Sequence, residues 1–223
     1  MNTVIIVAGG KGERMQTDVP KQFLDMRKKN AARRKPVLMH TIEAFYSYDA
    51  HISIIVVLPL TQIDYWKGLC KKHRFKIPHQ IVEGGETRFH SVQNGLSLAK
   101  TDSLIAVHDG VRPLVSGETI ARCFENAEKH KAVVPVVDLV DSIRYVDKNE
   151  NYACKRSKYK LVQTPQVFAG ELLKKAYEQK FSPAFTDDAS VVETLGAKIY
   201  LVDGNRENIK ITTAIDLKLA EVF

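Results

Sequence analysis

Cysteine is scarce in this chain: Cys70, Cys123 and Cys154 are the only three among 223 residues. Thiols so few and so widely spaced build neither a disulfide framework nor a four-cysteine zinc site, and each is expected as a partly buried thiol. Long apolar runs are missing as well. None approaches the ~18 residues that a membrane span requires, so no membrane partner is expected. Nor does Met1-Asn2-Thr3 carry the basic region of a signal peptide before the β-like run that follows, and a cytoplasmic protein is the expectation. With 12 glycines, 8 prolines and no repeat or low-complexity linker, the sequence is neither collagenous nor disordered. What is present, 44% hydrophobic and 26% charged residues, fits one globular domain over residues 1–223. Such a length buries roughly 70% of the unfolded surface without covalent staples.

The net charge of +7 looks like a nucleic-acid signal until it is located. Arg27, Lys28, Lys29, Arg33, Arg34 and Lys35 carry six of those seven charges in one stretch, and the rest of the chain is close to neutral. A solvated loop is the simplest reading, an anion- or RNA-binding patch the alternative. The nearest rings are Phe23 and Phe45. No aromatic platform adjoins the cations, so no nucleic-acid partner is expected.

Hydrophobic period and punctuation alternate between strand and helix. Residues 3–8 form a continuous β-branched run of the kind covered on both faces in a parallel sheet, and residues 51–58 and 104–107 are similar. Between them Val37, Leu38, Thr41, Ile42 and Phe45, then Trp66 and Leu69, then Val92, Leu96 and Ala99 recur at helical spacing. Pro36 suits the first turn of a helix, Ser116 an N-cap, and Asp187 another N-cap before a helix that stops at Gly196. Pro135 pushes the strand-like residues 132–137 toward an edge or a bend. Over residues 138–162 the helical period is lost. Residues 142–146 and 159–162 read as two strands around the turn-rich residues 147–151, an arm-like hairpin. The expected fold class is α/β: a single doubly wound, Rossmann-like domain with this hairpin protruding.

Ligands in such sheets bind beyond the C-terminal strand ends, so the loops there carry most weight. The first reads Ala8-Gly9-Gly10-Lys11-Gly12-Glu13-Arg14-Met15. Its glycines let backbone N–H groups approach a phosphate chain. A dinucleotide fingerprint would need glycine where Met15 stands and an acid after the second strand, where Leu58-Pro59 is found. A Walker A loop would need Gly-Lys-Ser/Thr, which does not follow. Alone, such a turn is either a phosphate loop or a tight structural turn. Arg14, and Lys21 in Pro20-Lys21-Gln22, strengthen the first reading. Two fixed cations beside a phosphate cradle oppose the charge that builds up in phosphoryl or nucleotidyl transfer.

In Val107-His108-Asp109-Gly110-Val111-Arg112-Pro113, Asp109 stands at a strand end where it could hold Mg²⁺, with Arg112 on a substrate phosphate. Alternatively, Asp109 caps a turn and pairs with Arg112. His108 reads as a packed strand-end residue rather than a base. Residues 83–91, Glu-Gly-Gly-Glu-Thr-Arg-Phe-His-Ser, suit recognition of a base edge or, equally well, a helix N-terminus with Glu86 favouring the dipole. Thr164-Pro165-Gln166, Thr186-Asp187-Asp188 and Asn208-Ile209-Lys210-Ile211-Thr212 are polar clusters, structural singly or together lining a pocket for a polyol phosphate. Lys210, bounded by two isoleucines, is a candidate for a directed, partly buried charge.

Ala-Gly-Gly-Lys-Gly-Glu-Arg-Met (8–15), Pro-Lys-Gln-Phe (20–23), Gly-Gly-Glu-Thr-Arg (84–88), His-Asp-Gly-Val-Arg-Pro (108–113), Thr-Pro-Gln (164–166), Thr-Asp-Asp-Ala-Ser (186–190) and Asn-Ile-Lys-Ile-Thr (208–212) occur in this order. Together they resemble the 2-C-methyl-D-erythritol 4-phosphate cytidylyltransferase family over essentially the whole chain. The resemblance implies transfer of CMP from CTP to 2-C-methyl-D-erythritol 4-phosphate in non-mevalonate isoprenoid precursor synthesis, dependent on Mg²⁺ or another divalent cation. The products are 4-diphosphocytidyl-2-C-methyl-D-erythritol and pyrophosphate. It implies Arg14 and Lys21 at the α-phosphate and Ala8, Gly9, Gly10, Lys11 and Gly12 as the triphosphate cradle. Gly85, Glu86, Arg88 and Ser91 fall where the family contacts cytidine, and Asp109 on the ribose and metal side. Asp109, Arg112, Ser142, Arg156, Thr164, Thr186 and Lys210 fall at the polyol phosphate positions, with Arg156 and Lys210 aiming the attacking phosphate. The family is homodimeric through the arm (138–162), which implies that Ser142 and Arg156 complete the partner's site.

Ribitol 5-phosphate cytidylyltransferases share the glycine loop and the Asp/Arg turn, but residues 84–88 and 186–190 are more similar to the methylerythritol enzymes. One stretch departs from the family. Between Phe23 and Pro36 the loop is longer than usual and carries the six cations. It is expected to stay mobile and to screen the way into the triphosphate pocket.

Overall fold

The computed structural model describes residues 1–9, 19–29 and 33–223. Strand β1 (Thr3–Val7) runs into Ala8 and Gly9. A short 3₁₀ turn (Lys21–Phe23) precedes a two-stranded ladder, β2 (Asp25–Met26) with β3 (Lys35–Pro36), which ties together the base of the basic loop. Then α1 (Val37–Tyr48), β4 (Ser53–Leu58), α2 (Leu60–His73), β5 (Gln80–Glu83), α3 (Arg88–Leu96), β6 (Leu104–Asp109) and α4 (Gly117–His130) alternate. Strands β7 (Ala132–Asp138), β8 (Ile143–Val146), β9 (Asn151–Cys154), β10 (Lys160–Val162) and β11 (Gln166–Ala169) follow. The chain closes with α5 (Gly170–Ala176), α6 (Asp188–Glu193), β12 (Tyr200–Asp203) and α7 (Ala214–Ala220).

Helix ends follow the local chemistry. Ser116 caps α4 by accepting from Thr119 N–H, and Asp187 forms a capping box with Ser190 at α6. Pro36 is the N-cap of α1 rather than a first-turn residue. Gly196 takes the left-handed conformation (φ 77°) that ends the stretch after α6.

Among the described residues the main sheet has the order β10-β7-β11-β6-β1-β4-β5, with β12 beside β7. Strands β6, β1, β4 and β5 are parallel, whereas β10 and β11 run antiparallel to their neighbours. Side chains alternate across β1, so Val4 and Ile6 enter one core and Ile5 the other. Leu38 and Phe45 of α1, Trp66 of α2 and Phe124 of α4 cover the first face. Phe89 and Val92 of α3, Leu173 of α5 and Val192 of α6 cover the second. This is the doubly wound α/β architecture expected from the pattern.

Two local readings are corrected. The hairpin consists of β8 and β9, paired from Ile143↔Cys154 to Val146↔Asn151. Residues 160–162 instead pair antiparallel with residues 136–138 of β7, at the end of the main sheet. Both stretches have strand-like composition, and which partner a strand finds is set by tertiary position rather than by its own period. Pro135 is not at an edge either, since β7 has neighbours on both sides. Its carbonyl accepts from Gln163 N–H at 2.8 Å, so the missing N–H faces the break where β11 gives way to β10.

From β1 the chain winds outward through β4 and β5, then returns to β6 on the other side of β1. The crevice for a ligand lies beyond the C-terminal ends of these two strands. There Val7 is in register with Asp109, and Gly110 lets the strand ends close: a Cβ at residue 110 would stand 2.8 Å from Ala8 Cβ and 3.2 Å from Val7 O. Gly110→Ala is expected to destabilise by about 1–3 kcal/mol through overpacking. Chemical denaturation reads this as a lower midpoint at unchanged slope; an unchanged midpoint would mean that the strand ends part freely.

Candidate active site

A cleft of about 230 Å³ opens at this switch point. Ala8 and Gly9 form one wall, Lys21 and Gln22 the next, Gly85, Glu86, Arg88 and Ser91 the third, and Asp109 and Lys210 the floor. Asp109 joins these segments. Its Oδ2 accepts from Arg112 Nε at 3.0 Å and lies 3.1 Å from Lys210 Nζ, while Arg88 Nε stands 3.8 Å from Oδ1. Burial alone would push this carboxyl up. Arg88, Lys210 and Arg112 outweigh burial and hold it well below the usual carboxylate range.

Arg88 is itself anchored. Its Nη1 and Nη2 donate to Asp188 Oδ1 and Oδ2 at 2.9 and 2.7 Å, and Tyr177 Oη donates to Asp188 Oδ1 at 2.6 Å. Asp188 is fully buried in the first turn of α6. Burial works against the guanidinium charge, but Asp188 and then Asp109 more than restore it. Arg88 stays charged and held at both ends.

Behind Asp109 lies a second network. Buried His108 places Nε2 3.1 Å from Arg112 O, an oxygen that can only accept, so Nε2 carries the proton. Nδ1 therefore accepts from Thr164 Oγ1 at 3.0 Å, and the same hydroxyl accepts from Asp109 N–H at 3.1 Å. Arg112 Nη1 donates to Asn208 O at 2.7 Å, and Asn208 Nδ2 to Thr164 O at 2.8 Å. On the opposite wall, Gly85 N–H donates to Ser91 Oγ at 3.1 Å. Only glycine fits at residue 85, because a Cβ would lie 2.4 Å from His90 Cβ.

No group of three or more His, Cys, Asp or Glu able to hold a metal occurs among the described residues. A cage built from protein alone is thus not what these residues offer. Magnesium bound through a single carboxylate, with substrate phosphate oxygens and water completing its shell, does fit. Asp109 Oδ1, whose nearest ion-pair partner among the described residues is at 3.8 Å, is the oxygen available for it.

A family model described as IspD, 2-C-methyl-D-erythritol 4-phosphate cytidylyltransferase, matches residues 2–223. The chain belongs to the 2-C-methyl-D-erythritol 4-phosphate cytidylyltransferase family. The protein of that name from Bacteroides thetaiotaomicron is 58% identical over 221 residues, covering 99% of this chain and 98% of its own. The one from Clostridium botulinum is 39% identical over 226 residues, covering 99% and 98%. The crystal structure of the Thermus thermophilus 2-C-methyl-D-erythritol 4-phosphate cytidylyltransferase aligns with a TM-score of 0.76 at 30% identity, over 100% of this chain and 98% of that one.

Against the positions that the cytidylyltransferase family suggests, the cleft brings together Ala8, Gly9, Lys21, Gly85, Glu86, Arg88, Ser91, Asp109 and Lys210. Gly10, Lys11, Gly12 and Arg14 lie outside the described residues. Arg112 and Thr164 stand behind Asp109, engaged with protein groups, and neither lines the cleft. Ser142 and Arg156 are exposed on and beside the arm, where Arg156 donates to Val140 O, and Thr186 is exposed ahead of α6. Within the single chain these three do not line the cleft. Sequence reasoning misses Asp188 as the anchor of Arg88, because the two are 100 residues apart and no local period links them. It also passes over Gln22, which lies beside the more conspicuous Lys21.

The described part of the basic loop is tied down away from the cleft. Arg34 pairs with Glu221 and donates to Asp25 O at 3.1 Å, Arg27 N–H donates to Glu221 Oε1 at 3.2 Å, and Lys35 pairs with Glu43 of α1. None of these cations lines the cleft. Residues 30–32 lie outside the described ones.

Burial pushes the His108 imidazole down to about 4 from 6.5. The unfolded chain therefore holds the extra proton between these values, and stability is lost as pH falls through that window. In metal-free protein the loss is at most about 1.4 kcal/mol per pH unit. His108→Gln is expected to remove this share, seen as a shallower pH dependence of the unfolding free energy. Equal slopes for the two proteins would show that the folded imidazole protonates freely.

Proposed function

We propose that the protein transfers CMP from CTP to 2-C-methyl-D-erythritol 4-phosphate, releasing pyrophosphate, as a step of isoprenoid precursor synthesis. The observation that carries this reading is the switch-point cleft. There Arg88 and Lys210 converge on one carboxylate and Lys21 lines the same cleft beside Ala8 and Gly9, in a chain matched by the family model over residues 2–223.

The chemistry follows from charge. CTP and a phosphate monoester repel each other, so catalysis is mainly positioning and neutralisation. The reading assigns the triphosphate to the Ala8–Gly9 backbone and Lys21, with Arg14 of the same loop as the second cation. Lys210, steadied by Asp109 at 3.1 Å, aims the attacking phosphate oxygen at the α-phosphorus. As that bond forms, the bond from the α-phosphorus to the oxygen bridging the β-phosphate breaks, and pyrophosphate leaves. The nucleophile is already ionised and needs no base; His108 has both ring nitrogens engaged and plays none. A divalent cation held by Asp109 Oδ1 and the triphosphate would add to the neutralisation of phosphate charge.

A homodimer through the arm is part of the proposal. Tyr145 and Tyr152 stack at 4.8 Å on the hairpin, and Val140, Val146, Leu161 and Val162 are exposed nearby. Pairing of two arms would cover this apolar surface and bring Ser142 and Arg156 toward the partner's cleft. No helix among the described residues is long and apolar enough to cross a membrane. A cytoplasmic reaction between two charged, water-borne substrates is proposed accordingly.

Pyrophosphate release from CTP and Mg²⁺, compared between methylerythritol phosphate and ribitol 5-phosphate, tests the reading. Turnover is expected with the first, and turnover with ribitol phosphate alone would overturn the substrate assignment. Lys21→Ala is expected to lower kcat by roughly 10²-fold, as loss of a preorganised transition-state charge does. A rise confined to KM would make Lys21 a binding residue only.

A further inference from the structure

Gln22 follows Lys21 in the 3₁₀ turn and is fully buried at the back of the cleft. Its amide nitrogen has two protons and uses both: one donates to Ala8 O at 2.8 Å, the other to Gln62 Oε1 of α2 at 2.7 Å. Its own Oε1 is buried with no hydrogen-bond partner among the described residues. An orphaned acceptor of this kind costs on the order of 1–3 kcal/mol. A methionine of the same length would fill the space without that cost. The amide is explained by what its NH₂ group holds.

What it holds is the root of the glycine-rich loop. Ala8 is fixed on its other sides, by its N–H to Val57 O at 2.9 Å and by its methyl against Gly110. The direction of the Ala8 carbonyl then sets the path of Gly9. The 3₁₀ turn at the far end of the amide is equally fixed: Phe23 is buried, stacks on Trp66 at 6.0 Å and meets Tyr65 edge-on at 5.3 Å. One side-chain amide therefore braces two rigid anchors against each other, with Gly9 next to one and Lys21 next to the other.

We propose that Gln22 is a positioning residue that sets the separation between the start of the glycine-rich loop and Lys21. This rests on the reading that those two groups hold the CTP phosphates, and Gln22 acts through them. A reacting geometry displaced by about 1 Å can cost about 10²-fold in rate, which is why such a brace matters.

Steady-state pyrophosphate release by the wild type, Gln22→Met and Gln22→Glu tests the proposal. Gln22→Met keeps the length and loses both donors. Its kcat is expected to fall by about tenfold or more while KM for the polyol phosphate stays within about twofold. Gln22→Glu can donate to Ala8 O only when protonated, and burial between two carbonyl oxygens raises its pKa. Its kcat relative to wild type is expected to fall by about tenfold between about pH 6 and about pH 9. A packing defect gives no such pH profile. A Gln22→Met kcat within about twofold of wild type, or a flat pH ratio for Gln22→Glu, overturns the proposal. The glutamate variant decides alone if the methionine variant does not fold. An inactive wild type would instead overturn the proposed reaction. Calorimetric CTP affinity then reads the brace: about tenfold weaker binding by Gln22→Met supports it, and equal affinity overturns it.

Discussion

A carboxylate buried at the end of β6 remains ionised because three cations surround it, and the shape of the cleft depends on that arrangement. Removing a charge from water costs several kcal/mol unless partners and hydrogen bonds replace the lost solvent. Asp109 takes one partner, Arg112, from its own loop and two from distant segments, Lys210 after β12 and Arg88 at the start of α3. Arg88 extends the network to Asp188 of α6, and Arg112 to Asn208. Three stretches of chain meet at one charge, and α6 is joined to it through Arg88.

The arrangement also leaves an excess of positive charge. Among the described residues, Lys21, Arg88, Arg112 and Lys210 outnumber Asp109, Asp188 and Glu86 in and beneath the cleft. A polyanion entering it meets cations already oriented by the fold, so little reorganisation is needed when charge develops on phosphorus. The division of labour is physical. Arg88 and Arg112 each commit two guanidinium donors to protein carboxylates and carbonyls, which fixes their planes as scaffold. The lysine ammonium of Lys210, with three protons and, among the described residues, one carboxylate contact at 3.1 Å, keeps donors for a ligand.

Much of the fold is legible in the sequence because its signals are local. The unbroken run of β1, the helical spacing of Val37 to Phe45 in α1 and the cap at Ser116 each report on residues within a few positions of one another. The cleft was legible as a set of loops at strand ends. For Asp109 one of the two alternative readings, the pair with Arg112, is seen at 3.0 Å, and the same carboxylate lines the cleft. What was not legible is non-local. The partner of β10, the tolerance of β7 for Pro135, the Arg88–Asp188 pair and the Gln22 amide all depend on chain segments far apart in sequence. The two-residue ladder of β2 and β3 is too short to carry any period.

The central claim is that the cleft built on Asp109, with Gly9 and Lys21 in its walls and Lys210 in its floor, is the seat of a nucleoside triphosphate. Its most direct test is a crystal structure of the protein with CTP and Mg²⁺. The account predicts the phosphates against the Gly9 backbone, with the Lys21 ammonium within about 4 Å of phosphate oxygens, a reach typical of charge-assisted pairs, and the Lys210 ammonium facing the α-phosphate from the side of the attacking oxygen. A triphosphate lying elsewhere, with both lysines turned to solvent, would contradict it.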